Sequence, residues 1–201
     1  HLSIGDRVMG LVGGGAMAQT VITDAKEALL IPDNLTFNEA AALPEAQLTA
    51  FDALERLDLK PGHKILIHAI GSGVGCVLLQ QSLMRGLKVW GTSRSQWKLE
   101  RATQNGLEYP IHSTDGNFIT HLDGIRFDGI IDFVGAAYMA QNIQSLAMKG
   151  RLLILGLMGG VKSNLDLGRL LRIRGSILSA TMRSRIKSER IELLNRFRSQ
   201  P

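Results

Sequence analysis

The feature that most constrains this chain is a short apolar run, Lys64-Ile65-Leu66-Ile67-His68-Ala69, ending in the glycine cluster Gly71-Ser72-Gly73-Val74-Gly75. An unbroken apolar run of this length reads as a strand covered on both faces. Glycines directly after it let the backbone turn sharply, and a helix opening there presents free N–H groups to an anion. A helical stretch follows to about Arg85, and the alternation then recurs. Strands are predicted at Lys88–Thr92, near Glu108–His112, at Phe127–Phe133, at Arg151–Leu155 and at Ser176–Thr181, with helices near Gln96–Asn105 and at Ala137–Met148. Ser113–Gly124 is polar without a clean period and predicts a short or irregular helix. The pattern implies an α/β fold, a doubly wound parallel sheet of the Rossmann type.

The segment before Gly62 has a different rhythm. Residues 1–31 read as short strands and turns: Asp6-Arg7-Val8-Met9, a Gly13-Gly14-Gly15 break, then Ala18 to Thr23. Ile31-Pro32-Asp33-Asn34 is a turn signal, and Thr36 with Glu39 makes a capping box before Ala40-Ala41-Ala42. Pro44 is expected to interrupt. Apolar residues at 48, 51, 54 and 57 then form a helical stripe closed by Asp58-Leu59-Lys60-Pro61-Gly62.

Composition excludes several classes. A chain of 201 residues, 45% hydrophobic and 20% charged, has enough apolar material for a core and spans one domain or one plus part of another. One cysteine excludes an internal disulfide framework and a thiolate zinc cluster. No apolar run approaches the roughly 18–20 residues that span a bilayer. The first residues show neither a signal-peptide core nor an initiator Met. The net charge of +5 belongs to the tail: Arg169 to Pro201 carries nine basic and two acidic residues, which leaves 14 basic and 16 acidic before it. In that tail Ile186, Ile191, Leu194 and Phe197 alternate with Arg190, Glu192, Arg196 and Arg198. The stripe suits an amphipathic helix against a domain or subunit better than a nucleic-acid reader.

Gly71, Ser72, Gly73, Val74 and Gly75 are the predicted phosphate cradle, although G-x-G-x-x-G spacing fails because position 76 is Cys. Gly71-x-Gly73-x-Gly75 also suits an AdoMet-binding turn. In NAD and AdoMet enzymes an acidic residue about 20 positions on binds a ribose hydroxyl. The second strand instead ends Thr92-Ser93-Arg94-Ser95-Gln96-Trp97-Lys98, with no carboxylate before Glu100. Ser93, Arg94 and Lys98 would receive a 2′-phosphate through charge-assisted hydrogen bonds, so the expected cofactor is NADP(H).

On these residues the chain resembles the zinc-free quinone oxidoreductases, the zeta-crystallin-like branch of the medium-chain dehydrogenase/reductase superfamily. The matching positions include Gly5-Asp6-Arg7-Val8, Ala40-Ala41-Ala42-Leu43-Pro44, Leu48-Thr49-Ala50, His68-Ala69 and Ser72-Gly73-Val74-Gly75. Asp132 with Val134-Gly135, Gly150-Arg151, Gly156-Leu157-Met158-Gly159-Gly160 and Thr181-Met182-Arg183-Ser184-Arg185 complete them. The resemblance implies a GroES-like catalytic domain with remnants at both chain ends (residues 1–45 and a return segment, 183–201) around a nucleotide-binding domain (46–182). It places Thr49 by the nicotinamide, Gly73–Gly75 at the pyrophosphate, and Arg94 and Lys98 at the 2′-phosphate. Val134-Gly135 and Gly156-Leu157-Met158 would line the cofactor's track. Relatives often carry Asn-Tyr after the third strand; His112-Ser113 stands there, with Ser113 as the remaining hydrogen-bonding group. Members also carry further sequence before Gly5 and after Pro201, so a fragment, or a chain that has lost half its catalytic domain, is expected.

Other chemistries are weaker. His1, His63, His68, His112, His121 and Cys76 show no paired metal-ligand spacing, and no metal is expected. His68 reads as structural, Cys76 as a packing thiol, and Met148, Met158 and Met182 as core. Tyr138 lacks a lysine four residues on, against a short-chain dehydrogenase, and no Ser/His/Asp triad can be assigned. The expected protein is a cytoplasmic, homodimeric reductase acting on a small quinone or enone, with no nucleic-acid or membrane partner. The alternatives are an NADPH-binding sensor with little turnover and, behind it, an AdoMet-dependent methyltransferase.

Overall fold

The computed structural model describes residues 2–200. The chain divides into two compact units, Ala50–Ala180 and a split one built from the segments up to Thr49 and from Thr181 onward.

In the Ala50–Ala180 unit six strands form one parallel sheet. They are β3 (Lys64–Ile67), β4 (Lys88–Ser93), β5 (Tyr109–His112), β6 (Phe127–Asp132), β7 (Leu146–Ile154) and β8 (Ser176–Ser179), in the order β5-β4-β3-β6-β7-β8. Ile65, Leu66 and Ile67 are fully buried because β3 lies at the centre, with Leu66 opposite Trp90 on one side and Ile130 on the other. Helices α3 (Gly73–Met84), α4 (Gln96–Gln104), α5 (Met139–Ser145) and α6 (Leu167–Ile173) connect the strands. The order reverses at β3, so β4 and β6 diverge on its two sides and leave a crevice at the strands' C-terminal ends. The core beneath includes Phe118, Phe127, Ile130 and Leu152, none with measurable exposure.

Several boundaries differ from the sequence reading. α5 ends at Ser145 because β7 already pairs Leu146 with Phe127; an irregularity then carries the strand past Lys149, at φ 60°, to Arg151 opposite Gly129. The Ser113–Gly124 helix is one 3-10 turn, Phe118–His121. Cys76 is exposed rather than packed, its thiol 3.7 Å from the Ile70 carbonyl, and Met148 and Met158 are also exposed. These three stand on helix, strand and loop faces turned from the core, an orientation their apolar character does not report.

In the split unit, β1 (Val8–Gly10) pairs antiparallel with β2 (Ala28–Leu30). The strand expected at Ala18–Thr23 is absent: that stretch has no ladder partner, and Ile22 is exposed. The capping box opens α1 (Phe37–Ala41), Thr36 accepting from the Glu39 amide and Glu39 from the Thr36 amide. Helix α2 (Leu43–Leu57) starts earlier than expected. Pro44 sits in its first turn, where a missing N–H leaves no hydrogen bond broken, so it does not interrupt.

The basic tail forms α7 (Lys187–Arg198), which buries Leu193 and Leu194; Ile186 precedes the helix and is exposed. Its cations bind the 3-10 turn Ala25–Glu27 and its flanks. Lys187 Nζ lies 2.7 Å from Asp24 Oδ2, Arg190 Nε donates to buried Glu27 at 2.6 Å, and Arg198 donates to the Ala28 carbonyl at 2.6 Å. The Lys187 bond holds the Asp24 carboxyl below its ordinary value, and Asp24 raises the Lys187 ammonium. Two of the tail cations are thus paired with carboxylates within the chain, and a third is held on a backbone carbonyl. No helix among the described residues is long and apolar enough to cross a membrane.

Candidate functional site

At the C-terminal ends of β3, β4 and β6 lies a groove of about 520 Å³. One wall is the glycine turn. Ser72 caps α3, its hydroxyl accepting from the Gly75 amide at 3.0 Å, while the Gly73 and Val74 amides take no acceptor among the described residues. A helix N-terminus with free amides carries partial positive charge and receives anions. A Cβ on Gly75 would lie 2.5 Å from the Ala69 carbonyl oxygen, so only glycine lets α3 start this close to the strand. Gly71 serves differently. Its missing side chain makes room for Lys98, whose own Cβ would lie 2.6 Å from a Cβ on Gly71.

The opposite wall is the end of β4. Ser93 Oγ accepts from the Ser95 amide and donates to the Ser95 carbonyl, folding the turn into α4. His112 Nε2 donates to the Arg94 carbonyl at 3.1 Å, holding Arg94 at the groove. Neither Arg94 nor Lys98 has a carboxylate partner among the described residues; the Lys98 ammonium lies 5.4 Å over the Trp97 ring. The first turn of α4 contains no acidic residue, and Ser95 makes no side-chain cap, so its amides add to the positive potential. Among the described residues Asp115 is the one carboxylate lining the groove, and it accepts from its own loop at Asn117.

Next to the groove residues Thr92 and Val134 runs a buried polar chain. Asp132, at the end of β6, accepts from the Val134 amide at 2.6 Å, the Gly135 amide at 3.1 Å and Asn142 Nδ2 at 3.0 Å. Burial pushes its carboxyl up, opposed by those three donors. With Asn142 Nδ2 on the carboxylate, Oδ1 accepts from His68 Nε2 at 2.8 Å, and His68 Nδ1 accepts from the Thr92 hydroxyl at 2.9 Å. Burial holds His68 down to about 4, so the ring is neutral at pH 7. His68 is therefore structural, as its place at a strand end suggested.

The structure brings Gly71, Ser72, Ser93, Arg94, Lys98, Val134 and Met158 together around this groove. Gly73, Val74 and Gly75 open the adjoining helix, while Gly135, at φ 81°, and Gly156 shape backbone turns: Gly135 against Gly160, Gly156 against Phe133. Leu157 is exposed and does not line the groove. Ser113 is buried, 3.4 Å from the Tyr138 hydroxyl, and does not reach the groove either. Thr49 belongs to the other unit, where its hydroxyl donates to Glu45 at 3.0 Å. Sequence reasoning missed Thr92, Thr114, Tyr138 and Gly159 as lining residues. Thr92 and Gly159 lie inside the motifs quoted above, whereas nothing local marks Tyr138 or Thr114. The split unit has its own groove of about 630 Å³, lined by Met9, Leu29, Leu30 and Phe197 among others, with no glycine turn.

A parallel sheet in this order, with a glycine turn and a helix N-terminus at its switch point, defines a Rossmann-type α/β unit. The chain belongs to the zinc-binding dehydrogenase family, whose profile matches residues 73–199, and to the quinone oxidoreductase-like members of the medium-chain dehydrogenase/reductase superfamily. It is 32% identical over 173 residues to quinone oxidoreductase-like protein 2 of Bos taurus, covering 83% of this chain and 50% of that protein. It is 33% identical over 171 residues to the human synaptic vesicle membrane protein VAT-1 homolog, covering 80% and 43%. Among solved structures, the quinone oxidoreductase of Thermus thermophilus, described also in complex with NADPH, superposes with a TM-score of 0.83 at 25% identity over 98% of this chain and 64% of that one. The chain spans about half the length of the curated relatives it matches. The family description names zinc, but among the described residues no three His, Cys, Asp or Glu side chains are grouped to hold a metal ion, so these residues do not fit one.

Proposed function

We propose that this chain is the nucleotide-binding part of an NADPH-dependent oxidoreductase that passes hydride to a quinone or related conjugated carbonyl. The observation that carries the reading is two cations with no carboxylate partner among the described residues, Arg94 just after β4 and Lys98 in the first turn of α4, where NAD-specific folds need a carboxylate. The residues fit the dinucleotide. The free amides of Gly73 and Val74 would hold the pyrophosphate, and Arg94 and Lys98, with the α4 amides, the 2′-phosphate. Gly71 leaves room for the Lys98 stem against the turn, from which its ammonium would serve the phosphates. Val134, Met158 and Gly159 would flank the cofactor along the groove. Bound NADPH supplies the hydride; the chain's own contribution is orientation and charge. Thr49 enters as the polar group near the nicotinamide on the resemblance alone. The quinone-oxidoreductase names of its relatives favour a quinone or enone substrate.

Fluorescence titration tests the cofactor. NADPH should bind at least about tenfold tighter than NADH, and R94E should erase that preference. Equal affinities in the parent chain would overturn the 2′-phosphate assignment. NADPH binding without oxidation by any quinone, in the verified full-length protein, would replace the reductase by a nucleotide-binding role.

A further inference from the structure

His68 is fully buried and takes no part in the binding proposed above, yet its bonds lead to three sides of the groove. Its own backbone continues β3 into the glycine turn, with the His68 amide on the Ile131 carbonyl. Its Nδ1 receives the hydroxyl of Thr92, one residue before Ser93 and two before Arg94. Its Nε2 reaches Asn142, whose amide holds Asp132, whose carboxylate holds the Val134 and Gly135 amides. The ring faces Tyr138 at 4.8 Å and Phe118 at 4.7 Å. We propose that His68 is a positioning residue that, through a one-directional relay Thr92→His68→Asn142→Asp132, holds the phosphate turn, the end of β4 and the Val134-Gly135 turn at the spacing a dinucleotide requires.

The direction follows from hydrogen-bond chemistry. The Asp132 carboxylate, which already accepts from the Val134 and Gly135 amides, can only accept, so Asn142 must present its NH2 to it and its oxygen to His68. That oxygen demands a donor at Nε2, which leaves Nδ1 bare to accept from Thr92. Every member has its partner, and burial that keeps the ring neutral keeps this single tautomer. Three loops on separate strands thereby share one set of bonds. A change at Thr92 is felt at Val134 and Gly135, to which the Thr92 hydroxyl makes no direct hydrogen bond.

The binding arm of the test rests on the NADPH reading; the backbone arm does not. Amide hydrogen exchange in H68F, which keeps a ring but removes both bonds, should quicken at Val134 and Gly135 by at least about tenfold relative to core amides such as Ile130 and Leu152. NADPH should bind at least about tenfold more weakly, and H68Q, which keeps a donor towards Asn142, should restore both to within about threefold. T92V, a smaller change that serves where H68F does not fold, should also quicken exchange at Val134 and Gly135. Nitrogen shifts of the folded parent should show Nε2 protonated and Nδ1 bare. Unaltered exchange at Val134 and Gly135 in folded H68F or in T92V, an equal rise across the whole sheet, or the opposite tautomer would overturn the inference. A parent chain that fails to bind NADPH overturns the proposed function instead, and the exchange and tautomer results then decide the relay alone.

Discussion

The two units of this chain are held by different physics. Ala50–Ala180 carries a dry core of strand residues, and four of its buried polar side chains are tied into the Thr92–His68–Asn142–Asp132 chain. The split unit has two short strands, and its return helix is secured by Leu193 and Leu194 together with cations on Asp24, Glu27 and the Ala28 carbonyl. Apolar burial is insensitive to salt and scales with area, whereas exposed ion pairs contribute little and are screened. Mutation should therefore act on the two units by different mechanisms. Both tryptophans, Trp90 and Trp97, lie in the Ala50–Ala180 unit, so fluorescence reports that unit alone.

The largest effect should come from the dry core. F127A empties a fully buried site and should lower the stability seen by tryptophan in urea by about 3–5 kcal/mol. A loss under about 1 kcal/mol would mean the core is looser than its burial implies. Next is R190A, which strands buried Glu27 without its guanidinium. A loss of about 2–3 kcal/mol is expected, confined to the split unit. Trypsin should then cut the Arg183–Arg198 stretch faster while the tryptophan transition stays in place. If both shift together, the units unfold as one and the comparison breaks.

The pH dependence is third. His68 titrates near 4 in the folded chain and near 6.5 unfolded, so between those values the unfolded chain takes a proton that the folded chain refuses. Its contribution is complete above 6.5 and is lost as pH falls towards 4, about 2 kcal/mol of it between pH 7 and pH 5. Asp132 works in the opposite sense, because burial raises its carboxyl and the folded chain takes that proton at a higher pH than the unfolded one, which returns part of the loss at the acid end. Urea titrations at pH 7 and 5 should show this slope in the parent and not in H68Q. The smallest effect belongs to D24N in the split unit. Its bond to exposed Lys187 should matter only at low salt, and a loss that survives 0.5 M salt would count against the ionic description.

The site was legible where its chemistry is local in sequence. The β3 run, the glycines after it and the cations after β4 sit within a few residues of one another, and strand-to-helix turns place such neighbours together. Tyr138 reaches the groove from another strand's connection, and nothing beside it in sequence marks that. Ser113, whose cofactor role rests on the resemblance, is buried with its hydroxyl 3.4 Å from that of Tyr138. Helix starts were legible from Thr36 and Glu39 and misread at Pro44, because a proline's effect depends on whether it stands in the first turn or beyond it.

By itself the sequence determined the alternation of strand and helix, the anion-binding turn and the absence of a carboxylate after the second strand, since each depends on residue type and near neighbours. Only the tertiary structure decided that the tail's cations are answered by Asp24, Glu27 and the Ala28 carbonyl at the other end of the chain, and that His68 meets Thr92 and Asn142, 24 and 74 residues away. The reason is physical. A charge or a ring nitrogen states what partner it needs, but which distant residue supplies that partner is fixed by the order in which strands stack.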